Sequence, residues 1–201
     1  MNINRNNKCL ITQSLLSAYE WIFKIDNGYE DFINTLNRKG IQQNQAMLDG
    51  IQFENIVNAR VGGAAPLPKH PWFKGTEAIY SIVQRAALQV KLSRDITVGG
   101  REFVLYGVLD ALHAGHIYDI KHSKTYHRGK YRENPQHPMY FELCPAAIDF
   151  SYLVSDGAEL YTETYYPGDG NNIENQIKEF MRYLERENLM ETYNNNWISK
   201  Y

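Results

Sequence analysis

Apolar residues recur at helical spacing in several segments of the chain, and this pattern predicts six helices. The first can be capped by Thr12 or Ser14, because hydroxyl side chains satisfy free backbone N–H groups at a helix start. A loop follows the third helix, because the segment GGAAPLPKHPW carries three prolines that block regular structure. The predicted helices span 12–27, 28–38, 42–60, 75–88, 134–147 and 172–190.

Segments rich in β-branched and aromatic residues predict five strands. The first two form a hairpin, since glycines at 99 and 100 supply its turn. The Asn-rich ends, NINRNN and YNNNWISKY, are expected to be frayed or loosely docked. This order of helices and strands predicts an α/β fold, a mixed sheet with helices on its faces. The predicted strands span 91–98, 101–112, 116–123, 150–155 and 158–167.

Composition indicates an ordinary folded protein, since the 201 residues are 43% hydrophobic and 22% charged. We expect a single domain with a helical part over 12–90, a sheet core over 91–166 and a C-terminal helix over 171–190. No apolar run approaches a membrane span and the N-terminus lacks a signal-peptide core, so a cytoplasmic protein without membrane contact is expected. The two cysteines, Cys9 and Cys144, are too far apart in sequence to suggest a zinc site or a disulfide framework.

The net charge of −2 argues against a protein that coats nucleic acid non-specifically, but one segment is strongly basic. Residues 121–132, KHSKTYHRGKYR, carry no acid and interleave Tyr126 and Tyr131 with the cations. Such a run is ordinarily a solvated loop, whereas its place directly after an Asp-x-Lys triplet favours contact with phosphates. Its cations are Lys121, Lys124, Arg128, Lys130 and Arg132.

Three charged residues lie on two neighbouring predicted strands, in GVLDALHAGHIYDIKHSK. Because strand side chains alternate, Asp119 and Lys121 share a face, and Asp110 can approach Asp119 across the turn. Two close carboxylates repel each other unless a cation lies between them, and Mg²⁺ suits such a site. Lys121 could then orient an attacking water. The alternative is an ordinary Asp–Lys ion pair that closes a sheet.

Three further residues bear on this choice. Glu54 lies on an amphipathic helix beside Phe53, so it could belong to the site. The alternative interpretation is an exposed glutamate on a helix. Gln136 and Tyr140 are four residues apart near a helix start, so they share one helix face. The alternative to a role in the site is surface capping for Gln136 and core packing for Tyr140.

The segments GIQFE, GVLD, YDIK and QHPMY together resemble the PD-(D/E)XK nuclease superfamily, particularly its RecB-like and phage exonuclease branch. ITQSLLSAYEWIF is similar to the opening motif of RecB-like nucleases, and the resemblance runs from about residue 12 to about residue 190. It implies a restriction-endonuclease-like mixed β-sheet core flanked by helices.

The resemblance also implies a role for each motif residue. Asp110, Asp119 and the Ile120 carbonyl would hold a metal ion, with Glu54 as a further ligand, direct or through water. Lys121 would be the catalytic lysine. Gln136 and Tyr140 would position the substrate or support the site. The place of the basic segment, rather than the resemblance, predicts substrate binding by Lys124, Arg128, Lys130 and Arg132.

Two departures from the family pattern are His122, where a small hydroxyl residue is common, and Pro145, which should kink or end the helix after Tyr140. The expected cofactor is Mg²⁺, with Mn²⁺ able to substitute. No iron–sulfur cluster is expected, because two distant cysteines cannot supply the four that some relatives use. His116 is expected to be structural, and His122 or His127 could contact phosphate.

These features favour a metal-dependent DNA nuclease, in particular a RecB-like exonuclease of phage type acting in DNA recombination or processing. Its expected partner is DNA, with a homo-oligomer or a separate recombination protein as further possibilities. A catalytically inactive DNA-binding module that keeps the fold is the main alternative. A structural α/β protein is a third, which convergence of Glu54, Asp110 and Asp119 would eliminate.

Overall fold

The structure is a computed structural model that describes residues 8–199, so the segment NINRNN at 2–7 lies outside it. The strands are β1 (Cys9–Thr12), β2 (Ala87–Val98), β3 (Arg101–His113), β4 (His116–His122), β5 (Asp149–Ser155) and β6 (Leu160–Tyr165). The helices are α1 (Gln13–Trp21), α2 (Gly28–Leu36), α3 (Gln45–Val61), α4 (Phe73–Val83), α5 (Gln136–Leu143), α6 (Ile173–Arg186) and α7 (Met190–Asn196).

The strands form one mixed sheet in the order β1-β3-β4-β5-β6, and β2 pairs with β3. The β1–β3 and β4–β5 pairs are parallel, whereas β2–β3, β3–β4 and β5–β6 are antiparallel. Helices cover both faces, which confirms the predicted α/β class.

Each face of the sheet buries its own apolar core. The smaller core contains Phe53 and Val57 of α3 and Leu153 of β5. The larger contains Tyr152 and Val154, the neighbours of Leu153, together with residues of α1, α2, α5, α6 and α7. Because strand side chains alternate, this division puts α3 and α4 on one face and the other helices opposite.

The first predicted helix, 12–27, is too long, since α1 ends at Trp21 and a turn leads into α2. Gly28 explains the break, because a Cβ at this position would overlap the Trp21 carbonyl. Thr12 is the N-cap and accepts a hydrogen bond from Leu15 N at 3.2 Å, as predicted. The prediction at Pro145 is also confirmed, since α5 ends at Leu143.

The fourth predicted helix, 75–88, is wrong at its end, because β2 begins at Ala87. Strand β1 was not predicted. It is only four residues long and is stabilised by its parallel pairing with β3.

The prediction of a frayed or loosely docked C-terminus is wrong for the residues that the structure describes. Tyr193 and Trp197 are buried, and Trp197 Nε1 donates to the Leu36 carbonyl at 3.0 Å. Arg38 stacks its guanidinium 3.3 Å from the centre of the Trp197 ring. The C-terminal segment is therefore anchored by tertiary contacts that local asparagine content does not indicate.

Within residues 8–199, no helix is long and apolar enough to cross a bilayer.

Candidate active site at a gap in the sheet

Strand β3 carries the site because one of its edges is interrupted. Strand β2 pairs along almost the whole of one edge of β3. On the other edge, β1 pairs with residues 103–106 and β4 with residues 111–113. Residues 107–110 therefore face a gap between β1 and β4. Asp110 lies at the end of this gap.

Asp110 links the gap to β4 through a hydrogen bond. Its Oδ2 accepts the backbone N–H of Ile120 at 2.9 Å, at a point where β4 has already left the β3 ladder. Strand β4 continues alongside β5 as far as His122. The divergence of β4 from β3 thus leaves Ile120 N–H free of a ladder partner, and the Asp110 side chain takes that place.

Asp119 is held by two neighbours. It is 2% exposed, its Oδ2 lies 2.7 Å from Lys121 Nζ, and its Oδ1 accepts a short hydrogen bond from Gln136 Nε2. The Gln136 side chain is itself buried at the start of α5. The structure therefore brings together three of the residues that the motifs single out.

The charges of these residues influence each other strongly. Burial alone would lower the pKa of Lys121, but Asp119 and Asp110 more than offset it and hold the pKa above its usual value. Burial raises the pKa of Asp110 well above its usual value, and Asp119 and Glu54 add to this effect, whereas Lys121 opposes it. Two acids thus crowd Asp110, and Lys121, 32% exposed at its side chain, remains a cation.

Glu54 is held beside this group by a residue that sequence reasoning missed. Glu54 Oε1 accepts hydrogen bonds from Gln89 Nε2 at 2.8 Å and from Asn58 Nδ2 at 3.3 Å. Gln89 lies opposite Asp110 in β2, in the left-handed region at φ 52, where the regular pairing skips one position. Strained backbone of this kind is concentrated at functional sites. Neither composition nor periodicity signals it.

Tyr140 supports the gap from the α5 side. Its hydroxyl donates to the Val108 carbonyl at 2.9 Å, which satisfies a backbone acceptor beside the gap. Gly107 allows this approach, because a Cβ there would lie 2.5 Å from Tyr140 Cε1. The glycine of GVLD is thus required by packing.

The basic segment 121–132 divides into two parts. Lys124 binds Asp49 at 3.1 Å, and Lys130 Nζ donates to Ser123 Oγ at 2.7 Å. Both lysines line a cavity of about 380 Å³ next to the site. Arg128 and Arg132 instead line a groove of about 710 Å³ along β6. The four predicted substrate-binding cations are therefore on two different surfaces.

Two histidines have structural contacts. The His122 ring packs against Trp72 and Phe53, with ring centres 4.6 and 5.1 Å away, and burial lowers its pKa. His116 Nδ1 lies 2.8 Å from Asp149 Oδ2, in keeping with its predicted structural role. His122 thus replaces the expected hydroxyl residue with an aromatic packing contact.

The acids do not form a closed metal-binding group. Among residues 8–199, no three His, Cys, Asp or Glu side chains are gathered so that they could hold a metal ion. The charge of Glu54 helps to raise the pKa of Asp110. One of the two carboxylate oxygens of Glu54, Oε1, accepts hydrogen bonds from Gln89 and Asn58. Glu54, Asp110 and Asp119 therefore do not converge fully, and the structure does not eliminate the hypothesis of a purely structural Asp–Lys pair.

Comparison with known proteins gives information on the fold. No protein-family model matches the chain, and no curated protein matches it significantly in sequence. The crystal structure of SSO0001 is similar, with a TM-score of 0.51 and 16% identity over 90% of this chain and 79% of that one. LHK-Exo, crystallised in complex with dAMP, has a TM-score of 0.48 and 16% identity over 88% of each chain. The likeness to SSO0001 shows that the mixed α/β fold of this chain occurs in a solved structure.

Proposed function

We propose that the chain is a metal-dependent deoxyribonuclease, and more specifically a RecB-like exonuclease of phage type that processes DNA in recombination. The observation that carries this proposal is the contact of buried Asp119 with both Lys121 and Gln136, beside Asp110 at the gap in the sheet. The order of the motifs along the chain supports it. A structural ion pair alone requires neither a buried glutamine on Asp119 nor a second acid next to it.

The residues of the chain would divide the work. Lys121 would place a positive charge beside the scissile phosphate and orient the attacking water. Gln136 would hold Asp119 in position through its hydrogen bond to Oδ1. Tyr140 would keep the gap open by binding the Val108 carbonyl, so it is a positioning residue.

A divalent cation would be held by Asp110, Asp119 and the Ile120 carbonyl, with Glu54 binding directly or through water. The donors fit Mg²⁺ or Mn²⁺ in kind, because all of them are oxygens. The repulsion that raises the pKa of Asp110 is also what a cation would relieve. When bound, the ion would supply charge stabilisation to the phosphodiester during hydrolysis.

The test is degradation of end-labelled linear DNA, single- and double-stranded, with Mg²⁺, with Mn²⁺ and with EDTA. Asp119→Asn keeps the shape of the side chain, and Lys121→Ala removes the ammonium. Each should reduce the cleavage rate at least about a hundredfold, because such charges act where the transition state develops. Lys178→Ala, which removes a lysine on α6 with a 39% exposed side chain, is the control and should cleave like the wild type.

Folding must be checked, because Lys121→Ala leaves the Asp119 carboxylate without its cation. Asp119→Asn removes the other partner of the ion pair, but the Lys121 ammonium is 32% exposed and still has Asp110 nearby. Loss of cleavage in this variant with an unchanged melting temperature therefore supports the mechanism. A fully active Lys121→Ala enzyme would defeat it. Products trimmed from the ends support an exonuclease, whereas internal fragments would contradict that part of the proposal.

A second candidate is an inactive DNA-binding module, which is favoured by the dispersed acids among residues 8–199. DNA retained in a gel shift, without cleavage under any metal condition, would establish it. A homo-oligomer stays a prediction, which sedimentation of the free protein checks. A separate recombination partner also stays a prediction.

A further inference from the structure

We propose that the groove along β6 binds single-stranded DNA and leads the strand away from the active site, an inference that rests on the proposed function. Strand β6 is the last in the sheet order, so its outer edge has no partner strand among residues 8–199. The groove beside this edge has a volume of about 710 Å³.

The groove carries an aromatic platform. Tyr126 and Tyr161 are stacked, with ring centres 4.9 Å apart and planes inclined by 25°. Tyr161 is 37% exposed, and Tyr126 is held from behind by a hydrogen bond from its hydroxyl to Glu163 Oε2 at 3.0 Å. A ring fixed in this way can receive a base without further ordering. Unpaired bases expose the faces that such stacking needs.

The charges of the groove fit a phosphate backbone. Three of the five cations in the basic segment have internal partners, namely Lys121, Lys124 and Lys130. Arg128 and Arg132 have no salt bridge or side-chain hydrogen bond within the part of the chain that the structure describes, and both line the groove. The arginines without partners are therefore the ones beside the aromatic platform.

Two acids also line the groove, and both make internal hydrogen bonds. Glu163 accepts from the Tyr126 hydroxyl, from Gly129 N at 3.1 Å and, at short distance, from the Tyr165 hydroxyl. Asp169 Oδ2 accepts from Tyr166 N at 2.8 Å. Glu163 thereby ties the basic segment to β6 and fixes the shape of the groove.

The groove is connected to the active site through Tyr131. The Tyr131 ring stacks on Tyr152 at 4.5 Å between ring centres. Tyr131 lines the cavity of about 380 Å³ next to the site, and Arg132, the next residue in the chain, lines the groove. Tyr131 thus lies within reach of the candidate site and of the groove, which makes one strand path over both possible.

The experiment measures fluorescence anisotropy of a labelled oligothymidylate and of a blunt duplex, in EDTA so that binding is separated from cleavage. Tyr161→Ala should weaken binding of the oligothymidylate about tenfold, because it removes the ring on which a base would stack. Tyr161→Phe should bind like the wild type. Tyr166→Ala, at a 57% exposed tyrosine outside the groove, is the matched control.

The arginines are tested by the salt dependence of binding. Arg128→Gln and Arg132→Gln should each reduce the slope of log affinity against log salt by about 0.7, the value for one phosphate contact on a single strand. Arg182→Gln, which removes an exposed arginine on α6, should leave the slope unchanged.

Equal affinities of Tyr161→Ala and Tyr166→Ala for the oligothymidylate would overturn the inference. It would also be overturned if Tyr161→Ala weakened binding of the duplex as much as binding of the oligothymidylate. So would a wild-type protein that binds no single strand in EDTA. Failure of the nuclease proposal appears separately, as absence of cleavage with Mg²⁺ while the Tyr161 effect on binding persists.

Discussion

The two halves of strand β3 differ in how their backbone is satisfied. Residues 103–106 are paired on both edges, by β1 and β2, and Phe103, Val104 and Leu105 are buried. Residues 107–109 are paired on one edge only, and Asp110 lies where that pairing skips a position. Side chains there make the hydrogen bonds that a second strand would otherwise provide. Tyr140 binds the Val108 carbonyl, and Asp110 binds Ile120 N–H across the gap. Where a strand edge is interrupted, polar side chains are needed to pair the backbone groups that have no partner strand.

The largest expected effect concerns Trp197, which supports the closed half through β1, because its carbonyl accepts the Leu10 N–H at 2.6 Å. Trp197→Ala should lower the free energy of unfolding by about 3–5 kcal/mol, because it removes a buried indole that supports β1 and α2. Urea denaturation measures this loss. Ile198→Ala, at a neighbouring residue that is 43% exposed, should change stability by less than about 0.5 kcal/mol. A Trp197→Ala protein as stable as this control would contradict the anchoring of the C-terminal segment.

Gly107→Ala tests the open half and should have a smaller effect. The new Cβ would meet the Tyr140 ring at 2.5 Å, so we expect a loss of about 1–3 kcal/mol. In a Tyr140→Ala background the same change should cost less, and a double-mutant cycle by denaturation measures the coupling.

The matched glycine control is Gly50→Ala in α3, where nothing lies within 4 Å of the added methyl. That variant should gain about 0.5–1 kcal/mol, because alanine has the better helix propensity. A neutral Gly107→Ala variant would show that Tyr140 does not depend on the glycine.

Asp110→Asn should have the smallest effect on stability, and with the opposite sign. The folded-state pKa of Asp110 is raised, so its ionised form costs stability above that pKa, and the cost vanishes as the pH falls toward the ordinary value. The variant should therefore melt at a higher temperature than the wild type at pH 8 in EDTA.

This advantage should shrink at lower pH, where the wild-type carboxyl becomes protonated. Cleavage should be lost in Asp110→Asn despite the higher melting temperature. A lower melting temperature at pH 8 would mean that Asp110 stabilises the gap by its charge rather than straining it.

Local pattern was sufficient for part of the site. The alternation of side chains in YDIK predicted that Asp119 and Lys121 share a face, and their charged atoms lie 2.7 Å apart. The contact of Gln136 with Asp119 spans 17 residues, and the helical spacing of Gln136 and Tyr140 predicted a shared helix face but not this partner. Gln89 carried no signal, because its left-handed backbone arises from the mismatch between β2 and β3.

The sequence by itself determined the α/β class, the hairpin of β2 and β3 and the shared face of Asp119 and Lys121, because each depends on short-range periodicity or on turn residues. Only the tertiary structure decided that β1 and Trp197 complete the sheet, that Gln89 holds Glu54, and that Arg128 and Arg132 lie on a groove apart from Lys124 and Lys130. These features join residues far apart in the chain, and their stability comes from packing and hydrogen bonds that no local pattern encodes.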